Sequence, residues 1–310
     1  MAVLLLSAFL LGPPDSNPTS KNVEQPVPRP GAVTPPLGSA PEEAPADAER
    51  RRAGGWSAGG SAAGVLEVVI DLEGGEFEIV PAAPGAPIRV EAEYDEGLYR
   101  LEPSFSSDPE RGDRFGLLFE RRGQLSLLRQ IVYRRHEQAE GWVRVHLPSD
   151  VPMDLSVRIR KGEAELDLSG LALRMLEVDH GMGTTQLSFD EPSPVPMDVL
   201  EIKAKMGELA ASGLGHAGAR RLRFAGKMGD FRLDMRGPWR TDTSAEVRIT
   251  MGSALVRVPR DVRVELTNRR VVFGNLEARR DDPRGDPELR GPGKTLLLET
   301  SVRFGEMVIR

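Results

Sequence analysis

Four histidines, a recurring set of carboxylates, two glycine-rich turns and one arginine-rich stretch are the places where this chain could carry chemistry. The histidines are His136, His146, His180 and His216, and no two of them stand at the short spacing of a metal-ligand pair. Asp179 and His180 are adjacent, so in a strand they point to opposite faces and form no acid–base pair. In a stack of strands His180 is expected beside Lys203 or Lys205 on a solvated face. No catalytic or metal-binding histidine is expected.

Carboxylates recur at Glu163, Glu165, Asp167, Asp179, Glu201, Glu208, Asp230 and Asp234. Stacked above one another they could hold calcium or cleave a polysaccharide. They alternate, however, with Lys203, Lys205, Arg223, Lys227 and Arg232, which predicts cross-strand ion pairs on a wet face. The Gly-Gly-x-Gly-x-Asp calcium repeat is absent. Met182-Gly183-Thr184-Thr185 and Gly213 to Gly218 precede no helix, and Gly293-Lys294-Thr295 runs into a strand at Leu296-Leu297-Leu298, so none reads as a phosphate loop. The stretch from Arg111 to Arg135, with Arg129, Arg134 and Arg135, is the candidate interaction patch; the competing reading is a solubilising cap on an exposed edge. No catalytic residue, cofactor or metal is therefore expected.

The elements that would position these residues follow a repeat. Gly162, Gly183, Gly207, Gly229, Gly252 and Gly274 are separated by 21, 24, 22, 23 and 22 residues, and Gly305 follows after 31. Each is followed by alternating apolar residues, as in Gly229-Asp230-Phe231-Arg232-Leu233. A near-constant period of about 22 marks a coiled stack of strands, one turn per repeat. The 31-residue step fits an insertion in the Pro-, Gly- and charge-rich segment Asp281 to Gly293. The recurring glycine is expected at a corner of the coil, where it allows a strained backbone or a close approach of neighbouring rungs. Methionine precedes it at Met182, Met206, Met228 and Met251, and is expected to be a flexible core filler at that corner. The last strand, Thr300 to Arg310, is expected to end the stack with Arg303 and Arg310 as charged edge blockers.

The chain has 310 residues, of which only 5% are aromatic, and the apolar content is mainly Leu, Val and Ala. That suits a narrow stack of aliphatic ladders. A net charge of −6 offers no global basic field for nucleic acid. Absence of cysteine excludes disulfides, thiolate metal sites and cysteine nucleophiles. Residues 1–12 open with an apolar run too short to span a bilayer but of the length of a signal-peptide core, although no Lys or Arg precedes it. Residues 13–63 are rich in Pro and Gly; ten of the 25 prolines fall between Pro13 and Pro45. Such a segment cannot offset its ordering entropy by burial and is expected to be a disordered linker. The folded part is expected over 64–310, with irregular strands and a cap over 64–150 and regular rungs over 151–310. Within the cap, Phe115 to Phe119 and Trp142 to Leu147 read as strands and Pro103 to Gly112 as a loop, while Leu125 to Arg135 reads as a strand or a short amphipathic helix, the β-branched and aromatic Ile131-Val132-Tyr133 favouring the strand.

The segment from Val145-His146-Leu147-Pro148-Ser149-Asp150-Val151-Pro152 to Met153-Asp154-Leu155 leads into Gly162-Glu163-Ala164-Glu165-Leu166-Asp167-Leu168-Ser169-Gly170-Leu171. With Leu176-Glu177-Val178-Asp179 and the Gly183 step, it resembles the bacterial adhesin-like, or toastrack-type, β-solenoid domains of unknown function. These are related to the C-terminal domain of membrane regulators of the cell-wall stress response. The resemblance covers about Gly64 to Arg310. It implies a right-handed, single-sheet β-helix-like stack, usually in envelope-associated proteins and without known catalysis. Unlike those regulators, this chain lacks several transmembrane helices, so their signalling role is not carried over.

The expected fold is thus an all-β, single-domain β-solenoid after a disordered N-terminal segment. The expected function is a non-enzymatic, exported, envelope-associated scaffold that binds a cell-wall polymer or an envelope protein, with self-association through its edges as a further possibility. It is not expected to bind nucleic acid or to span the membrane. The alternatives are a cytosolic regulatory domain that sequesters a signalling partner and, behind it, a carbohydrate-active β-helix enzyme.

Overall fold

A computed structural model describes residues 51–58, 64–108, 112–122, 141–278 and 293–310, all from the compact unit Pro45–Arg310. The described residues form strands joined by turns, without a helix, in one 13-stranded sheet. Eight long strands make the body: β2 (Leu66–Ala82), β7 (Met153–Asp167), β8 (Leu173–Ser188), β9 (Met197–Ser212), β10 (Ala219–Asp234), β11 (Thr243–Arg257), β12 (Arg263–Ala278) and β13 (Thr295–Ile309). They pair in parallel in the order β2-β7-β8-β9-β10-β11-β13-β12.

Each long strand turns over at its glycine. In β9, Leu200, Ile202 and Ala204 are buried before Gly207, and Leu209 and Ala211 after it. A flat strand alternates with period two, so buried positions differ by an even number. The step from Ala204 to Leu209 is odd. The Met206-Gly207 step has inverted the strand, so that both of its halves keep their apolar side inward. The halves then fill the corner jointly, a large side chain against a small one: Ile159 with Ala164, Ala204 with Leu209, Gly226 with Phe231, Ile249 with Ala254. A Cβ on Gly226 would lie 2.4 Å from the Phe231 ring, whose centroid stands 5.3 Å from that of Phe224. Such pairing keeps each slice at native packing density. The connecting turns close the remaining side with Leu171, Leu214, Ala217 and Met235, all 1% exposed or less. Ser193 and Thr243 tie these turns to neighbouring rungs by donating to the carbonyls of Leu171 and Ala219.

At the corner the glycines stack in register from Gly162 through Gly183, Gly207, Gly229, Gly252 and Gly305 to Gly274. Gly229 has φ +145°, and a Cβ there would stand 1.8 Å from the carbonyl oxygen of Gly207. Both the torsion and the contact exclude a side chain.

Beyond β2 the sheet divides. Its first half pairs in parallel with β5 (Gly112–Arg121), which pairs antiparallel with β4 (Tyr99–Asp108). Its second half pairs in parallel with β6 (Trp142–Pro148), followed antiparallel by β3 (Ile88–Asp95) and β1 (Arg51–Ala58). These antiparallel strands flank β2 at the first end of the stack.

Three expectations change. Residues 51–58, read as linker, form β1 along the full length of β3, because Trp56 has an apolar partner in Phe115 (centroids 5.4 Å apart, stacked). Residues 103–108, read as loop, belong to β4; Pro103 is tolerated there because β4 is an edge strand and needs no donor on its open side. The last strand does not end the stack: β13 inserts between β11 and β12, leaving β12 at the edge. Burial explains the exchange. β13 buries Leu296, Leu298, Val302, Met307 and Ile309, whereas β12 is exposed over most of its length and carries Arg263, Arg269 and Arg270. Charged residues suit the strand that must discourage further pairing. The proposed strand at Leu125 to Arg135 lies outside the described residues.

Substituting Gly229→Ala will lower the melting temperature by the equivalent of at least ~2 kcal/mol, since strain and a backbone clash add. Gly55→Ala, where nothing lies within 4 Å of the added methyl, will leave it almost unchanged. Thermal unfolding followed by circular dichroism reads the difference.

Candidate functional site

Inverting the strand at each corner fixes which residues face out after it. On β2 these are Glu76 and Glu78, on β7 Glu163 and Glu165, on β8 Thr184 and Gln186, and on β6 Trp142 and Arg144. Pairing aligns them in two rows, Trp142–Glu76–Glu163–Thr184 and Arg144–Glu78–Glu165–Gln186. Phe77, Val143, Ala164 and Thr185 point inward between them and hold the strands on the core. The rows line an open groove of about 440 Å³.

Its chemistry is specific. Trp142 is 38% exposed, unlike Trp239, which is buried and donates its indole N–H to the Met235 carbonyl at 2.8 Å. Arg144 lies over the Trp142 ring, 6.0 Å from its centroid, and donates to Glu78 at 2.5 Å. Glu76, Glu163 and Glu165 have no cationic partner among the described residues. The groove therefore offers an aromatic plane, acceptor carboxylates, one amide and one hydroxyl, with an excess of negative charge. A second depression, about 570 Å³, is lined by Arg52, Arg100, Arg122, Glu96, Glu102 and Glu120. There the charges are largely engaged: Arg52 pairs with Glu96 at 2.7 Å, and Arg100 pairs with Glu102 at 3.1 Å and with Glu120.

The carboxylates after the other corners continue the outward row, from Glu163 and Thr184 to Glu208 and Asp230. Before the corner, Lys203 binds Glu177 at 2.9 Å and Lys205 binds Asp179 at 3.0 Å across rungs, as the alternation of charge required. No group of three or more His, Asp or Glu able to hold a metal occurs among the described residues.

His180 is not on the solvated face. It is 0% exposed, registers with Ala204 rather than with a lysine, and its Nδ1 lies 2.9 Å from the hydroxyl of buried Thr185. It takes the inward position three residues before the corner glycine, and Thr185 the inward position two after, so together they fill the slot that Ala204 and Leu209 fill on the next rung. The methionines are corrected likewise. Met182, Met206, Met228 and Met251 are 43–46% exposed, because the inversion leaves the residue before each glycine outside the corner. Arg129, Arg134 and Arg135, the sequence-level interaction patch, lie outside the described residues. The groove is not legible in the sequence because its eight residues come from four separate segments. The one available signal was Trp142, whose outward phase follows from inward Val143 and Val145.

The family model for the N-terminal domain of toast_rack, DUF2154, matches residues 60–209. These residues are a toast-rack domain. All the residues that line the groove lie within it. The match ends inside β9, and the strands that follow continue the same stack in register. Among solved structures, a "putative cell adhesion protein" from Clostridium sporogenes is 14% identical at a TM-score of 0.41, covering 84% of this chain and all of that one. A "putative adhesin" from Bacteroides fragilis is 8% identical at a TM-score of 0.35, covering 82% of this chain and 97% of the other. No curated protein is significantly similar in sequence.

Burial in the toast-rack core pushes the His180 imidazole below its ordinary value of 6.5. The unfolded chain therefore binds the proton more readily, so this histidine's stabilising contribution is complete above about pH 6.5 and falls as the pH drops toward the depressed folded value. Melting temperatures measured between about pH 7 and 5 will decline less steeply for His180→Gln than for the parent chain.

Proposed function

We propose that this chain is a non-enzymatic scaffold of the cell envelope that binds a cell-wall polymer through the Trp142 groove. The exposed Trp142 face carries the reading. An indole plane flanked by carboxylates, an amide and a hydroxyl suits a sugar ring, whose apolar face stacks on the aromatic while its hydroxyls meet the polar rim. Three carboxylates without cationic partners among the described residues repel an anionic polymer, so the fitting ligand is a neutral or amino-bearing glycan. The sheet repeats its outward rows every ~4.8 Å, which offers an extended polymer a series of equivalent positions. No helix among the described residues is long and apolar enough to cross a membrane. The apolar run in residues 1–12 supports export, and the Pro-rich segment after it supports a spacer role.

Two measurements test this. Titration with N-acetylglucosamine oligomers and purified wall sacculi will change the emission of Trp142, and Trp142→Ala will weaken binding by about tenfold or more. Unchanged binding by the variant, or no binding by the parent, overturns the groove assignment. In intact and outer-permeabilised cells, added protease will remove a C-terminal tag; a protected, soluble tag overturns the envelope placement and favours the cytosolic regulator.

A further inference from the structure

The corners carry an apolar ladder that the core does not use. Met182, Met206, Met228, Met251, Phe304 and Phe273 stand side by side in register on six adjacent strands. Every one is more than 40% exposed, and Phe273, at 67%, stacks on Phe304 with centroids 5.4 Å apart. At ~4.8 Å per strand the ladder runs for ~25 Å. Soluble monomers rarely expose so ordered an apolar stripe.

Its flanks are charged, and they are matched rung by rung. On the side before the corner stand Arg160 (β7), Lys205 (β9), Lys227 (β10) and Arg303 (β13). On the side after it, on the same four strands, stand Glu163, Glu208, Asp230 and Glu306. The three remaining strands of the ridge carry neither charge: Gly181 and Thr184 on β8, Thr250 and Ser253 on β11, Val272 and Asn275 on β12. No ion pair joins the two members on one strand, because the corner lies between them. Lys227, Arg303, Glu208 and Glu306 have no charged partner among the described residues.

We propose that this ridge is a self-association surface, on which a second copy of the chain packs about a two-fold axis parallel to the stacking direction. That rotation exchanges left and right but keeps the order of rungs. Each basic lane then faces the acidic lane of the other copy, Lys227 opposite Asp230 and Arg303 opposite Glu306. Methionine meets methionine, and uncharged rungs meet uncharged rungs. A two-fold axis running across the ridge would instead oppose like charges. The surface is therefore self-complementary in one orientation only, as an isologous contact requires. The ridge is narrow, three lanes about 10 Å across, so it buries less than the ~800 Å² per partner of a standard stable interface. The dimer is weak and reversible.

Sedimentation over a concentration series, with parallel runs from about 0.1 M to 1 M salt, where the screening length falls from about 10 Å to 3 Å, tests the proposal. The parent chain will shift from monomer to dimer with concentration, and less so at high salt. On β10 and β13, Lys227→Glu with Arg303→Glu makes both lanes acidic and Asp230→Lys with Glu306→Lys makes both basic, and each double variant alone will remain monomeric. An equimolar mixture of the two will dimerise, which also shows that both fold. Met206→Gln with Met228→Gln will weaken association without any change of charge. Trp142→Ala will leave it unchanged, which separates this surface from the glycan groove. A parent that stays monomeric, double variants that dimerise like the parent, or a mixture of folded variants that fails to associate would each overturn the proposal. Flotation of a monomeric parent with phospholipid vesicles would do so as well, and would give the ridge to a lipid surface.

Discussion

The structure depends on the approach of one backbone to the next at the corner. From Gly162 to Gly305 each rung lies so close to its neighbour that an added Cβ would fall between 1.8 and 2.5 Å from the carbonyl oxygen of the adjacent glycine. That approach lets eight long strands keep a continuous parallel ladder while each one bends. A side chain at the corner would push the rungs apart and break hydrogen bonds on both sides of it. The glycine torsion also inverts the strand. Without inversion, one half of each rung would present its apolar side to water.

From that inversion follow the core and the surface together. Inward positions meet across the corner, so their volumes are coupled: a glycine at 226 is required by a phenylalanine at 231, and an alanine at 204 accompanies a leucine at 209. His180 and Thr185 satisfy the same volume rule and add a polar contact to each other in an otherwise apolar stack. Outward positions are freed from packing, and they hold the charge. Cross-rung pairs such as Lys203–Glu177 and Arg160–Asp71 settle part of that charge within the sheet. Charges without a charged partner among the described residues mark two surfaces: Glu76, Glu163 and Glu165 around Trp142, and Lys227, Arg303, Glu208 and Glu306 in the lanes beside the methionine ridge.

These surfaces suit a scaffold. The groove lies on the outer side of rigid, fully paired strands, where aromatic and acceptor groups are held at strand spacing without the help of loops. The ridge lies on the corner itself and runs past the groove to the strands beyond the toast-rack match. A weak two-fold contact there would bring two grooves into one assembly, and paired weak sites gain avidity toward a repeating polymer.

By itself the sequence determined the all-β class, the period and the corner glycines, because these rest on local chemistry: alternation with period two and a residue without a Cβ. It also predicted the ion pairs of the wet face, since stacked repeats bring equal positions together. Tertiary structure decided the rest. Whether the residue before the glycine faces in or out depends on how the two half-strands close on each other, so the methionines are outside and His180 inside. Strand order at the end depends on which of two distant segments buries more apolar surface, so β13 displaced β12 from its place beside β11. The Trp142 groove draws on β2, β6, β7 and β8, and pairing between segments as far apart as Glu76 and Gln186 leaves no trace in a local pattern.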